Sequence, residues 1–283
     1  MHVGGRPGSN MEDVGLVEAG AFEPNSSLLV VYVAEAPAFA AGHIPGSVHV
    51  APAELVGGVA PATGRLPDLG RLNGLFGRLG YRPDLNIVAY DDEGGGWAGR
   101  FLWTLDVIGH RRWRYLNGGI QAWVAARRPL ERGAGRQTSP SSVALDIDRS
   151  PVAEAEDVLR AIDDPEQVIW DVRSLAEYRG ERRAAQRAGH VPGAVHLDWL
   201  ELKNPHDHQR LVPDIEALLG QHGITADKSI ITHCQTHHRS GLSYMVGRLL
   251  GFARIRAYHG SWSEWGNSND LPVATGGPEA ARG

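Results

Sequence analysis

The chain states one pattern twice, and that limits its fold more than any other feature. Gly42-His43-Ile44-Pro45-Gly46-Ser47-Val48-His49 returns as Gly189-His190-Val191-Pro192-Gly193-Ala194-Val195-His196. Leu116-Asn117-Gly118-Gly119-Ile120-Gln121-Ala122-Trp123 returns as Tyr258-His259-Gly260-Ser261-Trp262-Ser263-Glu264-Trp265. Between these landmarks each half has an apolar run, Asn86 to Tyr90 and Ser229 to His233. A loop and a helix-like segment follow each run and stop at Gly109 or Gly251. Order and spacing are kept together, so the halves are copies of one unit.

The copies meet in a stretch rich in Gly, Ser, Thr and Pro, the composition of a linker. Domains are expected over residues 11–132 and 143–276, joined by 133–142. Within each, short apolar runs alternate with helical spacing. Leu28 to Ala34 reads as a buried strand in the first half. Val168 to Val172, Ile230 to Thr232 and Arg254 to Ala257 read as strands in the second. Val152 to Ile162 reads as a helix capped by Ser150, with Pro151 in its first turn. Pro213 to His222 and Gly241 to Leu250 read as two more helices. This alternation predicts an α/β fold: two similar domains, each a mostly parallel sheet with helices on both faces. Ligands on such sheets bind beyond the carboxyl ends of the strands.

The only cysteine of 283 residues stands at such an end, in Thr232-His233-Cys234-Gln235-Thr236-His237-His238-Arg239-Ser240-Gly241. A lone thiol forms no internal disulfide and no cysteine-based zinc cage. Free amides at a helix N-terminus and the helix dipole favour an anion there, which lowers a thiol's pKa. Arg239 and the loop histidines add positive charge or donors. A nucleophilic sulfur facing an oxyanion cradle suits sulfur transfer, phosphate ester cleavage or arsenate reduction. Four residues separate Cys234 from Arg239. Thiolate phosphatases have one more, and a tighter ring suits a persulfide sulfur better than a phosphoryl group.

The two Gly-His-x-Pro-Gly motifs, Asp171-Val172-Arg173, the Cys234–Arg239 loop and the two Gly-x-x-x-x-Trp segments resemble a tandem-domain rhodanese, the thiosulfate/3-mercaptopyruvate sulfurtransferase family. The Cys-Gln-Thr-His-His-Arg loop is similar to a bacterial variant. The resemblance implies two similar α/β domains with only the C-terminal one catalytic, and double displacement through a Cys234 persulfide. It implies no cofactor or metal, a small anionic sulfur donor, and a thiol, protein or cyanide acceptor. The amides of Gln235, Thr236, His237, His238, Arg239 and Ser240 would hold the outer sulfur, while Arg239 and His237 orient the donor. Several members carry a donor-binding arginine where this chain has Glu177, so Arg182 or Arg183 is expected to replace it. The loop lacks the Gly-Ser/Thr-Gly pattern associated with mercaptopyruvate, which favours thiosulfate. Non-enzymatic sulfur carriage is the remaining alternative.

The first copy has Asp91 in place of the cysteine, in Tyr90-Asp91-Asp92-Glu93-Gly94-Gly95-Gly96-Trp97. That half is expected to be silent, its carboxylate accepting loop amides. Asp171 and Arg173 are expected to be structural, Asp171 bonding loop backbone and Arg173 pairing with Glu177. An ordinary ion pair is the alternative role for Arg239. His43 and His190 are expected to support turns, Trp123 and Trp265 to anchor cores, and Trp199 to line the pocket. His233, His237 and His238 lie too close in sequence to converge on zinc.

Net charge is −5 and the isoelectric point about 6.2, with no basic block of the kind that binds nucleic acid or a membrane surface. A 42% hydrophobic content supports a sizeable core. Met1 to Asn10 lacks a signal-peptide core and is expected to be disordered. The single cysteine fits a reducing cytoplasm.

Overall fold

The computed structural model describes residues 14–277, so the expectation for Met1 to Asn10 lies outside them. The first sheet contains β1 (Gly15–Val17), β2 (Leu28–Val33), β3 (Ser47–Val50), β4 (Asn86–Tyr90) and β5 (Trp113–Leu116). The second contains β6 (Val152–Ala153), β7 (Gln167–Asp171), β8 (Val195–His196), β11 (Ser229–His233) and β12 (Ile255–Tyr258). A small antiparallel ribbon, β9 (Lys203–Asn204) and β10 (Arg210–Leu211), lies between β8 and β11 in sequence. Helices of the first half are α1 (Ala36–Ala41), α2 (Leu69–Arg78), α3 (Gly96–Val107) and α4 (Gly119–Ala125). Those of the second are α5 (Ala155–Ala161), α6 (Leu175–Arg179), α7 (Ile215–Gln221), α8 (Arg239–Leu249) and α9 (Ser261–Trp265).

The strand orders are β1-β5-β4-β2-β3 and β6-β12-β11-β7-β8, the same order twice, with every pairing in both parallel. β2 shows why: Leu-Leu-Val-Val-Tyr-Val is buried along its whole length, as a strand covered on both faces requires. Each domain has an outer core, one around Trp123 and Tyr90, the other around Trp262, Trp265 and Tyr178. A third core is common to both domains and holds Trp103, Phe101, Leu242, Met245 and Cys234.

The repeated motifs support the frame. His43 Nδ1 bonds the Phe39 carbonyl at 3.0 Å, and His190 Nδ1 bonds that of Tyr178 at 2.8 Å. Each histidine backbone also pairs with a returning segment, at Glu131 or Ala274. Both act in their turns, as expected. Trp123 and Trp265 are buried, and each indole donates to a proline carbonyl, Pro129 or Pro272.

Three helix starts differ from the sequence expectation. Val152–Ala153 is an edge strand on β12, and the helix starts only at Ala155. Asp148 accepts the Ser150 amide, so Ser150 lies in a turn and caps no helix. Pro213 stands before its helix, which begins at Ile215. α8 begins at Arg239, two residues early, which shortens the cysteine loop to 234–238. Residues 133–142 run along the first domain, where the Arg136 and Ser141 amides bond the Ser47 and Gly77 carbonyls.

α3 and α8 are the equivalent helices of the two copies, and they cross at equivalent glycines. A Cβ on Gly99 would lie 2.3 Å from the Gly241 carbonyl oxygen. Backbone cannot step aside as a side chain can, so Gly99→Val is expected to cost about 1–3 kcal/mol of stability. Urea unfolding checks this, and an unchanged midpoint would contradict the close crossing.

Candidate active site

Cys234 is the first residue past β11, at the carboxyl edge of the sheet and against the other domain. Its side chain has no exposed surface. Burial pushes the thiol up, but the Arg239 charge, bonds from the Ser240 hydroxyl and amide, and the His238 charge outweigh it and hold the thiol below its ordinary value. The strand-to-helix turn thus favours the thiolate at a buried position.

The start of α9 clamps the loop. The amides of Trp262 and Ser263 donate to the Cys234 and Gln235 carbonyls at 3.0 and 2.9 Å. Ser261 Oγ accepts the amides of His237 at 3.1 Å and Cys234 at 3.4 Å. Ser261 and His237 both have φ of 53°, a strained value for residues with side chains. The His237 amide is thus already engaged by Ser261, which takes it out of the expected ring of free donors. Sequence reasoning missed this clamp, although the repeated Gly-x-x-x-x-Trp segment was its signal.

The three histidines diverge. His233 lies 3.8 Å from Asp171. His237 is buried edge-on to Trp103 at 4.5 Å, with Nδ1 2.8 Å from Ser240 Oγ. Burial and the Arg100 charge hold it well below the usual histidine range, so it is neutral and sets Ser240 through Nδ1. His238 stacks on Trp97 at 4.3 Å, bonds Glu93 and lies 5.8 Å from Trp199. Trp199 in turn carries Lys203 over its face. These rings address different partners and do not converge on one ion.

Arg239 forms a bidentate pair with Glu177, at 2.7 and 2.9 Å. Burial pushes the Glu177 carboxyl up, but Arg239 and Ser174 bring it down to about 2. The expected Arg173–Glu177 pair is not formed. Arg173 is buried on Asp171, with Nε 3.0 Å from Oδ1, and donates to the Gly189 carbonyl. Asp171 also accepts the Arg173 amide, the structural role expected of it. Burial opposes the charge on Asp171, yet Arg173 and His233 hold its carboxyl far below the usual range. Arg182 and Arg183 are exposed on a segment that touches the loop where Gln235 Nε2 donates to the Ala184 carbonyl. Arg183 folds back onto the Ala185 and Gln186 carbonyls rather than onto the cysteine loop.

The first domain closes the site, which no local sequence signal announced. A Cβ on Gly64 would sit 2.0 Å from the Thr236 carbonyl oxygen. The Leu66 amide donates to His259 Nδ1 at 2.9 Å, and Arg65 pairs with Glu154 and Glu264. Glu93, Trp97 and Arg100 also reach across.

Asp91 stands where the thiol stands in the other copy. Oδ1 accepts the amides of Gly94 at 3.0 Å and Gly95 at 2.8 Å, and Oδ2 that of Ala98 at 2.9 Å. The Ile120 amide clamps the Asp91 carbonyl as Trp262 clamps that of Cys234.

The profile of the Rhodanese-like domain matches residues 22–126 and again 154–268. The chain belongs to the rhodanese family. A thiosulfate sulfurtransferase of Azotobacter vinelandii is 48% identical over 246 residues, covering 87% of this chain and 90% of that protein. One of Pseudomonas aeruginosa is 46% identical over the same shares. Among solved structures, the anaerobic ergothioneine biosynthesis enzyme of Chlorobium limicola superposes with a TM-score of 0.82 at 22% identity, covering 93% of this chain and 70% of that one. That likeness shows the fold. The tandem rhodanese therefore carries one thiol and one carboxylate at equivalent loops. No helix of the described residues is long and apolar enough to cross a membrane.

Proposed function

We propose that this rhodanese moves the sulfane sulfur of thiosulfate to a thiophilic acceptor through a persulfide on Cys234. The supporting observation is a buried thiol with a depressed pKa at the strand-to-helix turn. The names of the relatives support thiosulfate as donor over 3-mercaptopyruvate. The Cys234 thiolate attacks the outer sulfur, the S–S bond of thiosulfate breaks, and sulfite leaves with the bonding pair. A Cys234 persulfide remains. A thiol or cyanide then attacks the outer sulfur and returns the thiolate, giving a new persulfide or thiocyanate. No outside oxidant is needed.

The amides of Gln235, Thr236, His238, Arg239 and Ser240 are the remaining candidates to hold the outer sulfur. In this reading residues 143–276 form the catalytic domain, 11–132 the silent one and 133–142 the linker. The single cysteine fits a reducing cytoplasm.

Mixing the protein with thiosulfate and weighing it tests the reading: a mass gain of one sulfur atom on the Cys234 peptide is expected. No gain from thiosulfate, with a gain from 3-mercaptopyruvate, would change the donor. No gain from either would remove the activity. Arg239→Gln takes away the charge that most lowers the thiol and leaves Glu177 unpaired. It is expected to lower kcat/KM for thiosulfate by about tenfold or more, or roughly 1.4 kcal/mol, read from steady-state kinetics.

A further inference from the structure

Arg100 is wholly buried in α3, on the domain that has no thiol. Its Nε and Nη2 donate to the Leu55 carbonyl at 3.2 and 2.7 Å, and Nη1 to the carbonyl of His237 in the cysteine loop at 3.4 Å. The guanidinium lies over the Trp103 ring, 4.6 Å from its centroid. Among the described residues it pairs with no carboxylate. A buried charge without a counter-ion is costly and calls for one.

The other charges around Cys234 are already matched or absent. Arg239 is shared with Glu177, and Arg173 with Asp171. Burial lowers His233, His237 and His259, which leaves them neutral near pH 7. His238 is bonded to Glu93. Arg100 is what remains unmatched.

We infer that Arg100 is a positioning residue for the sulfur chemistry: the domain without the thiol supplies, across the interface and beside Arg239, a further fixed positive charge at the cysteine loop that favours the Cys234 anion. This rests on Cys234 being the nucleophile. Burial brings Arg100 down to about 9, against the field of Cys234, and so leaves it protonated at neutral pH. The silent copy thus completes the site of the active one, consistent with the close crossing of α3 and α8.

The test is the pH dependence of Cys234 alkylation by iodoacetamide, which is unambiguous because the chain has one cysteine. Arg100→Gln keeps hydrogen-bond donors and removes the charge. It is expected to raise the apparent thiol pKa by about one unit, slowing alkylation about tenfold below both pKa values. Arg100→Lys is expected to restore most of the parent curve. A mere interface strut would lower the unfolding midpoint without moving the titration. A Gln curve that coincides with the parent, or a Lys curve that coincides with a shifted Gln curve, overturns the inference. If Arg100→Gln does not fold, Arg100→Met takes its place. Alkylation reads the thiolate and not sulfur transfer, so a parent that alkylates normally but takes no sulfur from thiosulfate removes the proposed activity and leaves this inference standing.

Discussion

Cys234→Ser is expected to abolish sulfur uptake from thiosulfate and to cut turnover at least about a thousandfold, because a serine hydroxyl near neutral pH is neither ionised nor a sulfur nucleophile. Serine fits the cavity and still meets the Ser240 hydroxyl and amide that reach the sulfur. The unfolding free energy should therefore change by about 1–2 kcal/mol at most. Mass spectrometry after thiosulfate treatment, with cyanide-dependent turnover beside it, checks both halves. Retained turnover would place the chemistry elsewhere. In the parent, loading should rise with pH through the Cys234 pKa and level off above it. Because Arg239 and Ser240 hold that pKa below the ordinary thiol value, the rise should fall at lower pH than for a free thiol. Arg239→Gln should move it upward.

What the sequence made legible follows the range of the forces involved. β4 and β11 have the residues expected from their apolar runs, since a buried parallel strand writes itself as a contiguous run. β6 was misread because two residues on a sheet edge carry no period. The expected Arg173–Glu177 pair gives way to two others, Arg173 with Asp171 and Arg239 with Glu177. Ser174 caps α6 and bonds Glu177 as a capping box, so Arg173 precedes the helix and turns inward to Asp171. Cys234 was legible as the lone cysteine beyond a buried strand, and Asp91 as its counterpart in the repeat. Gly64, Glu93, Trp97 and Arg100 were not, because they join the site only when the two domains pack.

The second large effect concerns Asp91. Asp91→Ala removes an acceptor that is fully buried and bonded to the amides of Gly94, Gly95 and Ala98. Those donors would be left in the interior without a partner, at about 1–3 kcal/mol each and less than additively. The variant is expected to lose about 3–5 kcal/mol, measured by urea unfolding. Asp91→Asn keeps one acceptor but turns an N–H toward loop amides, so it should fall in between. Burial and the Glu93 charge raise the Asp91 carboxyl to about 6, against the amide bonds that lower it. A raised carboxyl binds its proton more tightly in the folded chain. That part of its contribution is complete below the unfolded value near 4 and is lost as pH rises through about 6. The gap between parent and Asp91→Ala should therefore narrow from pH 4 to pH 7, and the amide bonds carry what remains. A loss under about 1 kcal/mol at both pH values would mean that the loop does not depend on this carboxylate. That loop and the first turn of α3 carry Glu93 and Trp97 to His238, so sulfur loading at Cys234 should weaken as the Asp91 loop loosens.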